Sequence, residues 1–370
     1  MARKTHALID LNALHANYAL AKAHAGASDV IAVIKADAYG HGMVEVAKAL
    51  QNRTSVFAVA FLDEALTLRQ NGIKEPILLL EGPMDRSEIA VARANNCWLM
   101  LHTPQHLEWL EPSDIAIPNQ IWFKLDTGMH RLGLSETEFL DFWQRQSPEI
   151  LSDLSAHCIL ATHFAKADND QDFTHQQLKS FARVQAITAM RTSYSNSPGL
   201  LIEQISADID LPSESFVRLG ISLYGGTPDS LLHPKYTQAL TPVMTVKAQV
   251  LAIRTIDAGE GVGYGQIWQA PTATAIATVA IGYADGIPRF AANRMHVMCA
   301  DTALPVVGRI SMDMITVDVS AIAEELKVGD MLEVWGAQQR VEQVAQALET
   351  INYELLTRLS LRVPRFYINT

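Results

Sequence analysis

Up to about residue 235 the chain repeats one alternation: a short apolar run, then a stretch whose apolar residues recur at helical spacing. Runs suited to strands fall at 30–34, 56–60, 76–80, 98–101, 121–125, 157–162, 192–194 and 216–218. Asp10 stands where a cap would precede Leu11, Leu14 and Tyr18 on one helical face, and 62–70 and 176–190 carry similar stripes. Strands alternating with helices imply βαβ units and a parallel sheet. Eight such units suit an α/β fold of the (β/α)8 TIM-type barrel kind, with a doubly wound open sheet as the structural alternative. The seventh run, Thr192-Ser193-Tyr194, is the weakest of the set.

After Tyr236 the texture changes. Strand-like runs at 244–253, 274–281, 295–298, 306–307, 314–319 and 331–335 follow one another, with Gly259-Glu260-Gly261 and Gly329-Asp330 as turns. Long helical patterns are absent until Val341. This predicts a barrel domain over 8–235 and a mostly antiparallel β domain over 236–370, joined by residues 1–7. A chain of 370 residues is long for one domain and comfortable for two.

A net charge of −11 with no basic run excludes a nucleic-acid surface. Cys97, Cys158 and Cys299 are widely spaced and odd in number, which fits a reducing compartment and neither a disulfide framework nor a zinc site. The basic start Arg3-Lys4 is followed by no apolar signal region, and no run approaches the ~18 apolar residues of a membrane span. The expectation is a cytoplasmic protein, with no membrane partner and no metal.

Lys35 ends a buried apolar strand in Val33-Ile34-Lys35-Ala36-Asp37-Ala38-Tyr39-Gly40-His41-Gly42. Removing an ammonium from water is costly, so a lysine there invites a chemical role, and imine formation with a cofactor aldehyde is the commonest. The bland alternative is a lysine reaching back to solvent. Lys35, Arg131, His163, Ser197 and Arg218 all fall at or beyond the ends of the expected barrel strands, the rim where such folds carry function.

These motifs resemble the alanine racemases, pyridoxal-phosphate enzymes with a barrel, a C-terminal β domain and an active site shared across a homodimer. The likeness is carried by VIKADAYGHG at 33–42, KLDTGMHRLG at 124–133, ATHFAKAD at 161–168, SNSPGLL at 195–201 and VRLGISLYG at 217–225. GVGYG at 261–265, IGYADGIPR at 281–289, GRISMDM at 308–314 and LRVPR at 361–365 complete it. The resemblance implies that Lys35 carries pyridoxal 5'-phosphate and serves as one catalytic base, with Tyr264 of the partner subunit as the other. It implies that Arg218 faces the ring nitrogen, that His163 packs on the ring, and that Tyr39, Ser197 and the amides of Gly220 and Ile221 bind the phosphate. Arg131 would meet the cofactor's phenolic oxygen and the substrate carboxylate; Lys124 matches a lysine carbamylated in some members. Met312 and Asp313 would line the substrate from the partner chain, and Tyr283, Asp168, Arg289 and Arg309 would form the access channel.

The implied activity is interconversion of L- and D-alanine, a small amino-acid substrate. A broader amino-acid racemase accepting serine or larger side chains is the second reading. A non-catalytic pyridoxal-phosphate carrier is a third, opposed by GVGYG and the SMDM segment. Barrel-fold decarboxylases are a fourth, opposed by the lack of their cysteine motif. Three departures stand out. The chain is about six residues longer around 203–212 than typical members, Leu361 stands where a phosphate-binding tyrosine is expected, and Ser311 replaces a cysteine of some relatives.

Overall fold

The computed structural model describes residues 3–201, 209, 211–227 and 239–369, so most of the long segment at 203–212 lies outside the described residues. The chain forms two compact units, one of Asn17–Ala38 and Met43–Leu223, the other of Met1–Ala16, Tyr39–Gly42 and Tyr224–Thr370.

The first strand, β1 (His6–Asp10), belongs to the second unit. The first unit is built on β2 (Asp29–Val33), β3 (Phe57–Val59), β4 (Ile77–Leu79), β5 (Cys97–Leu101), β6 (Ile121–Lys124), β7 (Ile159–Ala161), β8 (Arg191–Ser193) and β9 (Phe216–Leu219). They pair in parallel in the order β8-β7-β6-β5-β4-β3-β2-β9, a nearly closed eight-stranded barrel. β2 and β9 pair with Ile31 opposite Arg218. Helices separate the strands. In Gln171–Thr188, Leu178, Phe181 and Val184 recur every three residues and are buried, while the Asp170 side chain accepts from the Phe173 amide at the helix start. Asp10 likewise accepts from the amides of Asn12 and Ala13 as helix Leu11–Ala25 begins. Fully buried Ile31, Phe57, Trp122, Phe123, Phe139 and Phe181 anchor the core, each contributing roughly 1.5–3 kcal/mol of transfer free energy.

The second unit contains β10 (Met244–Ile256), β11 (Thr274–Val279), β12 (His296–Cys299), β13 (Thr302–Pro305), β14 (Ile315–Asp318), β15 (Met331–Trp335) and β16 (Arg365–Ile368). Its strands are mostly antiparallel; β16 runs parallel to β1. The 13-residue β10 serves three ladders, pairing β1 over Met244–Lys247, β15 up to Gln249 and β11 from Val250 onward, with register shifts along its length. Val262, Ile276 and Val307 form a small core with Ile256 and Trp268 against it, which anchors the loop leading to Tyr264.

Two local expectations shift. His157 ends the helix Pro148–His157 and does not open a strand, because Leu154 turns inward one turn earlier and only Ile159–Ala161 reaches the sheet. Residues 306–307 are not a strand: Thr302–Pro305 pairs β12, and Val306 makes a single bridge to Val317. The polar run at 192–194 does form a strand, β8, of three residues like β3, β4 and β7. Among the described residues no helix is long and apolar enough to cross a membrane.

Candidate active site

Lys35 follows β2 and opens a turn, Lys35–Gly40, that winds the wrong way. Ala36, Asp37, Ala38 and Tyr39 have φ of 53, 53, 54 and 53°, in the left-handed region that costs an L-residue roughly 1–2 kcal/mol each. Side chains hold it. Glu64 accepts from the Ala36 amide at 2.7 Å with one oxygen and from Ala60 at 2.7 Å with the other. Asp37 accepts from the Met43 amide at 2.7 Å. Gly40 ends the turn at φ 79°, where a Cβ would lie 2.2 Å from the Leu356 carbonyl oxygen. The turn presents the half-buried Lys35 amine, whose Nζ lies 3.3 Å from Glu81 Oε1.

On the same barrel rim Arg218 is buried in β9 and bonds almost wholly to backbone. Its Nη1 donates to Ser193 O (3.0 Å), and its Nη2 to Thr162 O (2.6 Å) and Tyr194 O (3.2 Å). Nη2 also faces His163 Nδ1 at 3.4 Å. Burial pushes the guanidinium down to about 10, with Glu214 pulling it back up. Burial, then the charges of Arg218, Lys124, Arg131 and Lys35, hold His163 well below its ordinary value, so the imidazole is neutral and free to accept at Nδ1.

Lys124 is buried at the end of β6, and desolvation, followed by Arg218 and Arg131, pushes it down to about 8, with Glu81 acting in the opposite sense. Arg131 lies exposed in the loop beyond it. That loop is tied by Asp126, which accepts from the amides of Gly128 (2.9 Å) and His130 (3.0 Å), while Leu134 donates back to Lys124 O at 2.8 Å. Asp168 lies in the turn before helix Gln171–Thr188.

Ser197 opens the short helix Ser197–Leu201. Its hydroxyl accepts from the Gly220 amide at 2.9 Å and from the Ser222 amide at 3.5 Å. Ile221, between those two residues, starts the 3-10 turn Ile221–Tyr224.

The remaining residues sit in the second unit. Tyr39 is buried, stacked on Tyr224 at 4.9 Å between centroids and tilted against Tyr353 at 5.9 Å, and burial pushes its phenol up. Leu361, by contrast, is 87% exposed. Tyr353, eight residues before Leu361, is thus a second tyrosine beside Tyr39.

Tyr264 is 69% exposed in the 3-10 turn Tyr264–Gln266, with Gly263 at φ 69° and Gly265 at φ 72°. Arg309 backs the turn, its Cζ 3.5 Å from where a Cβ on Gly265 would stand. Tyr283 and Met312 come together: Tyr283 donates to Ser311 O and Ala284 to Met312 O, both at 3.0 Å. Asp313 pairs with Arg362 at 2.6 Å. Arg289 is exposed in the turn Arg289–Ala291.

Two carboxylates escaped the sequence reading. Glu81 ends β4 as Lys35 ends β2, so the rim rule applied to every strand would have found it. Glu214 accepts from the Tyr194 and Ser195 amides just beyond β8, and no local pattern marks it.

The profile described as "Alanine racemase, N-terminal domain" matches residues 9–228, and "Alanine racemase, C-terminal domain" matches 243–367. A catabolic alanine racemase of Pseudomonas putida is 42% identical, the match covering 99% of both chains. The crystal structure of a biosynthetic alanine racemase from Pseudomonas aeruginosa superimposes with a TM-score of 0.88 at 38% identity, over 99% of each chain. That of a Bartonella henselae alanine racemase with covalently bound pyridoxal phosphate gives 0.86 at 34%, over 98% of this chain and 99% of that one. With both profiles matched in order and full-length relatives on either side, this chain belongs to the alanine racemase family.

Proposed function

We propose that this chain is an alanine racemase that interconverts L- and D-alanine with pyridoxal 5'-phosphate attached through Lys35. The observation that carries the reading is the Lys35 amine, raised on a strained turn at a barrel rim that also carries Arg218 and His163.

The residues present fit the cofactor. Lys35 offers a half-buried amine for an aldehyde. The amides of Gly220 and Ser222 already converge on an oxygen, that of Ser197, as they would around a phosphate. Lys35, Lys124, Arg131 and Arg218 together give the rim an excess of positive charge suited to an anion. Tyr39 joins this phosphate set, with the phenol ring of Tyr353 beside it.

When bound, the cofactor supplies the electron sink that makes an amino acid's α-proton removable. Racemisation then needs a proton taken from one face and one returned to the other. Lys35 serves one face, and Tyr264 of the partner subunit the other. The exposure of Tyr264 supports a role toward a second chain rather than a packing role. Arg218 stays protonated even at about 10, so it cannot give the ring nitrogen a proton; this weakens the sink and favours return of the proton at Cα. Neutral His163 packs on the ring without adding charge. Arg131 holds the substrate carboxylate. Lys124, with its pKa near 8, keeps enough neutral amine to take up carbon dioxide, and the resulting anion would pair with Arg131. Met312 and Asp313 of the partner subunit border the substrate, and Tyr283, Asp168, Arg289 and Arg309 line its path. A narrow path favours a methyl over larger groups.

The test is spectral and kinetic. The purified protein should show the visible band of the bound cofactor and racemise alanine, and Lys35→Ala should lose both. Tyr264→Phe should keep the band and lose turnover by about 100-fold or more. A Tyr264→Phe enzyme with near-normal turnover in both directions removes Tyr264 from its role.

A further inference from the structure

β8 and β9 close the barrel without a regular ladder. The seam is joined by backbone bonds from Ser215 to Thr192 O (3.0 Å) and from Arg218 to Ser195 O (3.1 Å). Between them the chain beyond β8 turns two amides toward β9, where Glu214 supplies the acceptors. Its Oε1 receives the Tyr194 amide at 2.5 Å and the Ser195 amide at 2.7 Å, and its Oε2 receives the Ser195 hydroxyl at 2.5 Å. The Glu214 carbonyl accepts from Ser28 Oγ at 2.6 Å, which pins the residue just before β2 as well.

A trans peptide points its N–H and C=O in opposite directions. The peptide joining Ser193 to Tyr194 therefore gives its N–H to Glu214 and its carbonyl to Arg218 Nη1. The next peptide, Tyr194 to Ser195, gives its N–H to Glu214 and its carbonyl to Arg218 Nη2. Two consecutive peptides thus lie between a carboxylate and a guanidinium, with both dipoles aligned to join the charges. Arg218 has no direct carboxylate partner among the described residues; its counter-charge reaches it through the backbone. Each charge supports the other, Glu214 raising the Arg218 pKa while Arg218 lowers that of Glu214 against a burial that pushes it up to about 7. Two residues further on stands Ser197.

We infer that Glu214 is a positioning residue: its carboxylate fixes the Tyr194-Ser195 backbone that aims Arg218 at the cofactor ring and carries Ser197 to the phosphate. This rests on the reading above that Arg218 and Ser197 face the cofactor.

The experiment compares Glu214→Ala, Glu214→Gln and Glu214→Asp with Arg218→Lys, by titrating each apoprotein with pyridoxal phosphate and recording the bound spectrum. Glu214→Ala should weaken cofactor binding about tenfold or more and shift the spectrum, because two buried amides lose their acceptor. Glu214→Gln keeps a carbonyl oxygen in place and should lose less than about threefold. Glu214→Asp, a methylene shorter, should fall between them and serves if the alanine variant does not fold. In the apoprotein, hydrogen exchange at Tyr194 and Ser195 should quicken in the Ala and Asp variants. Wild-type affinity and spectrum in the Ala or Asp variant would overturn the inference, as would a lower yield of folded protein whose remainder binds normally. If Arg218→Lys leaves the bound spectrum unchanged, the assignment of Arg218 fails separately, whatever Glu214 does.

Discussion

Lys124 illustrates how a single buried charge shapes both chemistry and stability. Its pKa of about 8 lies below the ordinary 10.5, chiefly because burial disfavours the ammonium. The unfolded chain binds the extra proton between those values, so this residue's contribution to stability rises with pH through that window. Below about pH 8 the penalty is complete, at roughly 3 kcal/mol. Lys124→Met should remove it. In buffer freed of carbon dioxide, urea unfolding of the apoprotein should show the variant ahead at pH 7 and the gap closing toward pH 10.5. A gap that does not change with pH would mean Lys124 is not desolvated. Lys124 and Arg131 were legible as residues of interest because both fall in KLDTGMHRLG, one of the motifs that carry the family resemblance. The pairings of Glu81 and Glu214 were not, since each meets its partner 46 or about 20 positions away in the chain, although the place of Glu81 beyond β4 was readable. Only the fold brings those carboxylates to Lys35 and to the strand end.

At the scale of the element, the turn Lys35–Gly40 stores strain that Glu64 offsets. Glu64→Ala strips the acceptor from the amides of Ala36 and Ala60 and should cost about 1–3 kcal/mol, with weaker cofactor retention. Ala36→Gly tests the strain itself. Ala36 is exposed and left-handed, so glycine relieves about 1 kcal/mol of steric cost against a similar entropic loss. Thermal melting should place that variant level with the parent or above it; a clear loss would show the turn to be unstrained. Nothing in Ala36-Asp37-Ala38-Tyr39 announces a left-handed run, because the usual marker is glycine and only Gly40 carries it. The strands were easier. Val30 to Val33 and Cys97 to Leu101 are apolar throughout, as a strand buried on both faces requires. The helix ending at His157 was misread because Cys158 to Ala161 continue in apolar residues, and periodicity over so few positions does not separate a helix end from a strand start.

For the whole molecule the sharing of sites between chains is the point at issue. The second unit exposes Tyr264, Ile267, Phe290, Met312 and Met314, more large apolar groups in one region of sequence than a lone surface requires. If Lys35 works with Tyr264 of the partner subunit, Lys35→Ala and Tyr264→Phe chains, each inactive alone, should complement on mixing. Half the re-formed dimers would be mixed, each with one intact site, giving about a quarter of wild-type activity. No recovery after verified subunit exchange would place both bases in one chain. That the chain divides into a helical, parallel part and an antiparallel part was readable from texture alone. Residues 1–7 were expected with the antiparallel part, but the five residues of β1 are too short to declare which strands they pair, β10 and β16.

One tie has a bearing on synthesis. Arg365 donates to the Gly40 carbonyl at 3.0 Å, and the Tyr367 hydroxyl to that of His41 at 3.0 Å, while β16 lies alongside β1. The end of the lysine-bearing turn waits for a side chain translated 325 residues later. A nascent polypeptide would therefore hold that end of the turn unsecured until position 367 clears the ribosome, and trimming even a handful of residues there would be felt three hundred positions upstream.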